Sequence, residues 1–250
     1  RTISVPKTDP ASLETLLLYI GVFITTHPYL KRIDLATYRS VGYYLLVTDI
    51  STMSCTMSDA EKTRQKILEV TADEIHQHGF KATSLSIILN RCEISKGALY
   101  YHFTNKIELG YAVFEEIFVP MFLGTWQPAL DEDDPIEGLC HFFTAMCNEM
   151  TCSEVVCGCP LNNLCEEMAN VDEGFRLRIL TMQEKLNSLI VDSLQRVEEQ
   201  LIDDLAFQQV AYFIVATFHG STSLSKSSRN KELFQQVIAE LCLYLRRLKK

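Results

Sequence analysis

Beyond residue 60, apolar side chains recur at three- and four-residue steps, and no stretch of any length alternates apolar with polar positions as a half-buried strand does. The chain is therefore expected to be all-α. Its punctuation separates the helices. Gly79 suits the end of a first helix, and Thr83 and Ser84 offer N-cap acceptors for a short second one through Ser86, Ile87, Ile88, Leu89 and Asn90. A third restarts at Ser95 after only Arg91 to Ile94, the connector length of two helices that cross steeply. Asn105 caps a fourth, which carries Tyr111, Val113, Phe114 and Ile117 at helical spacing towards Pro120. Asp134-Pro135 is a cap followed by proline at the first helical position, so a helix is expected to run to about Met150. Cys157-Gly158-Cys159-Pro160 breaks the chain, Leu161 to Met168 forms a short helix, and Asp172-Glu173-Gly174 leads into a long one reaching about Gln200. Two more follow, Leu205 to about Leu224 and Lys231 to about Arg247, separated by a polar linker.

The segment from Gly79 to Lys106 reads as a compact helix-turn-helix. Its third helix opens with Lys96, Gly97 and Ala98, one cation and two nearly absent side chains, so that end can approach another surface closely. Leu99 and Phe103, four residues apart, face inward. Tyr100, Tyr101 and His102 place polar groups beside the small tip. Asn105 and Lys106 open the next helix, where exposed backbone N–H groups and an ammonium together suit a phosphate.

These residues resemble the TetR/AcrR family of bacterial transcriptional regulators. The match is carried by the Gly-aromatic end of the first helix, the Thr-Ser cap, the run Ser95-Lys96-Gly97-Ala98-Leu99-Tyr100-Tyr101-His102-Phe103, and Lys106 followed by Glu108-Leu109. The resemblance implies that Lys96, Gly97 and Ala98 meet base edges, and that Thr83, Ser84, Tyr100, Tyr101, His102 and Lys106 meet phosphates. It also implies a three-helix DNA-binding domain over 57–105 and a helical ligand-binding and dimerisation domain over 106–250. Two departures stand out. Glu93 occupies a turn position where glycine is expected, with strain or weaker DNA affinity as the consequence, and Glu74 replaces an apolar residue of the first helix, which is expected to loosen the small core.

Charge does not point to DNA. The 250-residue chain is 47% hydrophobic and 22% charged, as expected of a soluble globular protein, but its formal net charge is −9. From Met57 to Phe118 there are 7 Lys and Arg against 9 Asp and Glu. Attraction to a duplex must therefore come from local placement of Lys81, Lys96 and Lys106, and affinity is expected to lean on dimerisation and fall steeply with salt. The first 56 residues fit neither a signal peptide nor a membrane span, since their apolar runs fall short of the roughly 18 residues a span needs. An extra structured element, a disordered arm and a start assigned too far upstream all remain open. The last is favoured, because Met57-Ser58-Asp59-Ala60-Glu61 resembles an ordinary start just ahead of the first helix.

The last two helices carry more apolar residues than one core-facing stripe needs. In the resembling family this pair builds a four-helix bundle across a two-fold axis, which assigns a homodimer interface to Phe207, Ala211, Ile214, Phe218, Phe234, Val237 and Leu241. Phe122, Trp126, Phe142, Phe143, Met146, Met150, Met168, Phe175 and Met182 are then expected to line or border an apolar space that takes a small hydrophobic effector. Six of the nine cysteines fall in one window, Cys140, Cys147, Cys152, Cys157, Cys159 and Cys165, with no Cys-x-x-Cys pair. Packing as small hydrophobes and a thiol switch at Cys152, Cys157 and Cys159 are both open.

No metal-ligand set, cofactor motif or catalytic constellation is legible; His141 beside Cys140 and Cys147 is a weak nucleophile-base pair. The expected function is a cytoplasmic, non-enzymatic regulator, a repressor that binds a palindromic double-stranded DNA operator as a homodimer and is released by its effector. A thiol-sensing regulator of the same fold is the alternative, with a helical thiol oxidoreductase and a structural adaptor as remote rivals.

Overall fold

The computed structural model describes residues 58–150 and 152–250, and gives no side-chain account of residues 152–154. The expected extension over 1–56 and its boundary at Met57 lie outside the described residues. Residues 60–250 pack as one compact unit. Among the described residues there is no strand, only an isolated antiparallel bridge between Leu201 and Lys249. The helices are α1 (Asp59–His78), α2 (Leu85–Cys92), α3 (Lys96–His102), α4 (Lys106–Val113), a π-turn (Phe114–Phe118), α5 (Val119–Asp131), α6 (Pro135–Glu149), α7 (Cys152–Cys157), α8 (Pro160–Met168), α9 (Glu173–Gln195), α10 (Phe207–Ser228) and α11 (Lys231–Arg246).

Apart from Thr83, the caps read from the sequence hold. Ser84, Ser95, Asn105, Asp134 and Asp172 each accept a backbone N–H in the first turn of the helix they precede. Gly79 ends α1 with φ +85°, and its N–H bonds the Ile75 carbonyl at 2.8 Å. Gly158 turns the chain between α7 and α8 with φ +71°. Several boundaries differ from expectation. The helix from Lys106 does not stop near Pro120 but widens into the π-turn and continues to Asp131. The long helix α9 stops at Gln195 rather than near Gln200, α10 runs on to Ser228 rather than to about Leu224, and a further short helix, Cys152–Cys157, lies between the expected helix end near Met150 and the break at Gly158.

The small N-terminal core is built from Ile67, Leu68, Ile75, Ile88, Leu99 and Phe103, all buried. Glu74 is buried with them at 6% exposure, yet it does not loosen the packing: Arg91 of α2 reaches its carboxylate at 2.6 Å and the neighbouring Asp73 at 2.7 Å. The two carboxylates raise the guanidinium's affinity for its proton. Glu93 takes the left-handed conformation at φ 58°, with its N–H on the Asn90 carbonyl and that of Ile94 on Leu89. The sequence-level expectation of strain in this turn is thus met, since a left-handed residue with a Cβ costs about 1 kcal/mol.

The larger body packs α5, α6, α9, α10 and α11 around Trp126, Phe143, Phe218 and Phe234. Fully burying each such ring contributes roughly 1.5 to 3 kcal/mol. The two parts meet at Gly110 of α4, where a Cβ would lie 2.4 Å from Phe80 and 2.8 Å from Phe175. Tyr111 beside it donates to Asp172 at 2.5 Å, and that bond holds its phenol up at about 12. At the other end, Arg246 and Lys249 pair with Glu137 and Asp134, closing the C-terminus over the start of α6.

Two measurements probe these features. Replacing Glu93 by Gly is expected to raise stability by about 0.5 to 1 kcal/mol, seen as a higher melting temperature; an unchanged or lower one would show that the turn carries no strain. His219 of α10 is held against Phe122 and Phe218, and burial pushes its imidazole down to about 4 from an ordinary 6.5. The unfolded chain takes up that proton first, so this contribution is whole above pH 6.5 and is lost as pH falls towards 4. His219→Leu is expected to flatten the fall in stability between those limits, and a parallel fall in both proteins would refute the assignment.

Candidate nucleic-acid interface

The candidate recognition element is α3, seven residues long, held from behind by Leu99 at 1% exposure and by the following Phe103 at 5%. Its forward end is open. A Cβ on Gly97 would meet nothing nearer than the Ser95 hydroxyl at 3.8 Å. Ser95 spends its oxygen on the Ala98 N–H at 3.1 Å, which fixes the first turn. Lys96 is exposed, with its ammonium 5.7 Å from the centre of the Tyr100 ring. Among the described large hydrophobic residues Tyr101 is the most exposed at 79%, and it stands edge-on to His102, 4.9 Å between ring centres. Lys96, Gly97, Ala98, Tyr100, Tyr101 and His102 are thus gathered along one short helix whose tip carries almost no bulk.

One residue expected at a phosphate is committed elsewhere, and another makes contacts within the chain while opening α4. Thr83 is buried at 1% exposure, and its hydroxyl donates to the Gly79 carbonyl at 2.8 Å, so its side chain is a structural brace and not a surface donor. The cap is Ser84 alone, which accepts the Ile87 N–H at 3.3 Å and pairs with the Ser86 hydroxyl at 2.9 Å. Lys106 does open α4, but its ammonium donates to the Lys81 carbonyl at 3.1 Å and lies 4.7 Å from the Phe80 ring centre. Burial there lowers the pKa of this amine.

A contact that sequence reasoning missed joins this surface to the body. The N–H groups of Phe80 and Lys81, left free as α1 ends, both donate to the Glu167 carboxylate of α8 at 2.7 Å. No local pattern signals a pairing of residues 87 apart.

The expected effector residues divide into two groups. Phe122, Trp126, Phe142 and Phe143 do cluster, with ring centres 5.3 to 5.8 Å apart. Phe175 does not join them. It packs on Phe80 and Tyr111 at 5.2 and 4.8 Å, filling the joint between the two parts. Met150, Met168 and Met182 are buried and Met146 half-buried. The cluster gains Phe218 and His219, and the Nε2 atom of His219 is buried there without a hydrogen-bond partner.

The expected interface residues also need correction. Ala211, Ile214, Phe218, Phe234 and Leu241 are buried inside the chain at 0 to 3% exposure, while Phe207 and Val237 are half-buried. The outward apolar residues of the same helices are Tyr212, Phe213 and Leu224 on α10 and Leu243 on α11, with Phe213 edge-on to Tyr244. Both helices are apolar on two sides, and periodicity alone does not say which side the body covers.

Among the described cysteines none forms a disulfide, and burial raises the thiols of Cys147, Cys159 and Cys165 out of the reactive thiolate form. Among the described residues no group of His, Cys, Asp and Glu could hold a metal ion, and no helix is long and apolar enough to cross a membrane.

Comparison with known proteins agrees with this geometry. Residues 67–113 match the family model for bacterial regulatory proteins of the tetR family, and residues 135–240 match the LmrA/YxaF-like transcriptional regulator C-terminal domain. An uncharacterized HTH-type transcriptional regulator in the lacX 3' region of Lactococcus lactis is 26% identical over 179 residues, covering 69% of this chain and 88% of that one. The HTH-type transcriptional repressor DhaR of Mycobacterium sp. strain GP1 is 24% identical over 179 residues, covering 70% and 88%. A TetR-family regulator from Cytophaga hutchinsonii superposes with a TM-score of 0.70 over 77% of this chain and 98% of its own, at 20% identity. With its small-tipped α3 on a three-helix head and an all-helical body behind it, the chain belongs to the TetR/AcrR family of helix-turn-helix transcriptional regulators, DNA-binding proteins and not enzymes.

Proposed function

We propose that the protein is a homodimeric repressor working in the cytoplasm, which reads a palindromic operator with residues of its 57–105 domain and is released by a small hydrophobic effector bound within 106–250. The observation that carries the reading is the bare tip of α3: Gly97 faces open space between an exposed Lys96 and Ala98, so the helix end fits into a major groove with a cation at its edge. In this reading Lys96, Gly97 and Ala98 face base edges. Ser84, Tyr100, Tyr101 and His102 face phosphates with the α4 N-terminus, where Lys106 adds its charge.

The outward stripe on α10 supports the dimer. Tyr212, Phe213 and Leu224 are about half exposed, and nothing lies within 4 Å of a Cβ placed on Gly220 between them, leaving room for a partner helix to approach closely. One seven-residue helix makes few base contacts, and two-fold symmetry doubles them on a palindrome. For the effector, the aromatic group around Trp126 offers an adaptable apolar wall, and the unpartnered His219 Nε2 is a polar handle within it. Release requires the effector to prefer a dimer whose two α3 helices are wrongly spaced for the operator. Among the described cysteines none is paired, and the redox alternative has no comparable support.

The direct experiment is selection of duplexes from a random-sequence pool, with a palindrome expected to enrich; enrichment of nothing above random sequence would overturn the reading. On the enriched duplex, Lys96→Ala is expected to cost about 1 to 3 kcal/mol and change base preference. Lys106→Ala is expected to weaken all sequences alike and flatten the salt slope by about one unit. Equal, sequence-independent losses from both would remove Lys96 from base reading. Phe213→Glu is expected to yield monomers in sedimentation and to weaken operator binding by more than about tenfold, whereas a persisting dimer would place the interface elsewhere.

A further inference from the structure

The rod that runs from Lys106 to Asp131 contains a defect with a cause in the sequence. Pro120 has no N–H to give the Glu116 carbonyl, and its ring would press against that carbonyl in a regular α-helix. The backbone widens instead. The Val119 N–H bonds the carbonyl of Phe114, five residues back, and Phe114–Phe118 form the π-turn just ahead of the proline. One residue more than an α-turn would hold is absorbed there, so everything beyond is rotated by about 100° from its place on an unbroken α-helix.

Two adjacent carboxylates sit in this turn and grip opposite parts of the molecule. Glu116 receives both terminal guanidinium nitrogens of Arg64 on α1, each at 2.6 Å. Such a two-point pair fixes direction as well as distance. The same guanidinium lies 5.2 Å from the centre of the Phe103 ring, the residue that ends α3. Glu115 meets Arg178 of α9 at 2.9 Å, with that N–H oblique to the contact, and Arg178 in turn lies 3.9 Å from the centre of the Tyr111 ring. Phe114, Ile117 and Phe118 are buried at 1 to 2% exposure, so the turn is anchored in the core between its two charged grips. Shifting the widened turn by one residue would swing Glu116 away from Arg64 by about a quarter of a circle.

We propose that this π-turn, pinned by Pro120, is a positioning element for operator recognition: through the Glu116–Arg64 pair it sets the angle at which α1, and α3 packed against it, is presented to DNA. Pro120, Glu116 and Arg64 are then positioning residues that need not touch the duplex. The proposal rests on the operator-binding reading above.

The test uses the full-length protein, the palindromic duplex it enriches, and a random duplex of equal length at low salt. Pro120→Ala, which alters no charge, is expected to lower operator affinity by about tenfold or more while changing random-duplex affinity by less than about twofold, with the dimer and helical content retained. Arg64→Gln and Glu116→Gln are expected to lose similar factors on the operator, and the double variant no more than either single. The exchanged pair, Arg64→Glu with Glu116→Arg, is expected to recover part of the loss. Operator affinity of Pro120→Ala within about twofold of the unaltered protein would overturn the proposal, as would additive losses from the pair or equal losses on both duplexes. If Pro120→Ala does not fold, the pair cycle and its exchanged form decide alone. Failure of the unaltered protein to enrich any palindrome would sink the operator reading and this proposal together, and is distinct from an enriched palindrome to which Pro120→Ala is indifferent.

Discussion

The helix-turn-helix head depends on a buried carboxylate and the guanidinium that reaches it. Glu74 lies in the small core of α1 to α3 at 6% exposure, and Arg91 reaches it from α2 while also bonding Asp73. Leaving such a carboxylate without its cation costs on the order of 3 kcal/mol, a large share of what so small a core supplies. The pair therefore fixes α2 against α1. It also fixes where α2 ends, since Arg91 and Cys92 are its last residues and Glu93 must then turn in the left-handed region to start α3 on line. Lys66 closes the same corner by donating to the Cys92 carbonyl at 2.9 Å. The direction of α3 follows from these bonds more than from its own seven residues, which are too few to hold a helix alone.

Local chemistry was legible in the sequence and partner choice was not. Caps, the glycine ends, Asp134-Pro135 and the inward pair Leu99 and Phe103 are decided within a few residues, and each stands where the pattern placed it. Thr83 and Ser84 are adjacent hydroxyls that can each serve as a cap, and only the bond to the Gly79 carbonyl shows which one turns inward. Glu74 looked like a flaw because its partner lies 17 residues away. Ala211, Ile214, Phe218, Phe234 and Leu241 were assigned to a neighbouring molecule because both helices offer apolar residues on two sides. Phe175 was placed with Trp126 on composition, yet it fills the joint against Phe80 and Tyr111. Pro120 was read as a helix end, although a widened turn accommodates it at lower cost than breaking a buried rod.

The charge balance of the head is used sparingly. Of its few cations, Arg91 is shared between Asp73 and Glu74, Arg64 is bound to Glu116, Lys66 holds a carbonyl, and Lys106 lies on Phe80 with its charge partly stripped of water. Lys81 and Lys96 are the exposed cations of the turn and of α3. Glu167 adds a further restriction, because its carboxylate already takes the two N–H groups left over as α1 ends. A surface this economical attracts a polyanion weakly at long range, so discrimination has to come from fit in the groove.

Gly110 gives the joint between head and body a property of its own. A single methyl group there would overlap Phe80 from the turn after α1 and Phe175 from α9, both ring systems that are themselves buried. Three separate stretches of chain thus meet with no slack, and none can change size without the other two. A hybrid regulator assembled by cutting between α3 and α4, with the head of this chain and the body of a relative, would inherit Phe80 without the glycine and the ring it was shaped to meet. Exchange of binding specificities within such proteins is therefore governed less by where the helices end than by whether this three-way contact travels as a set.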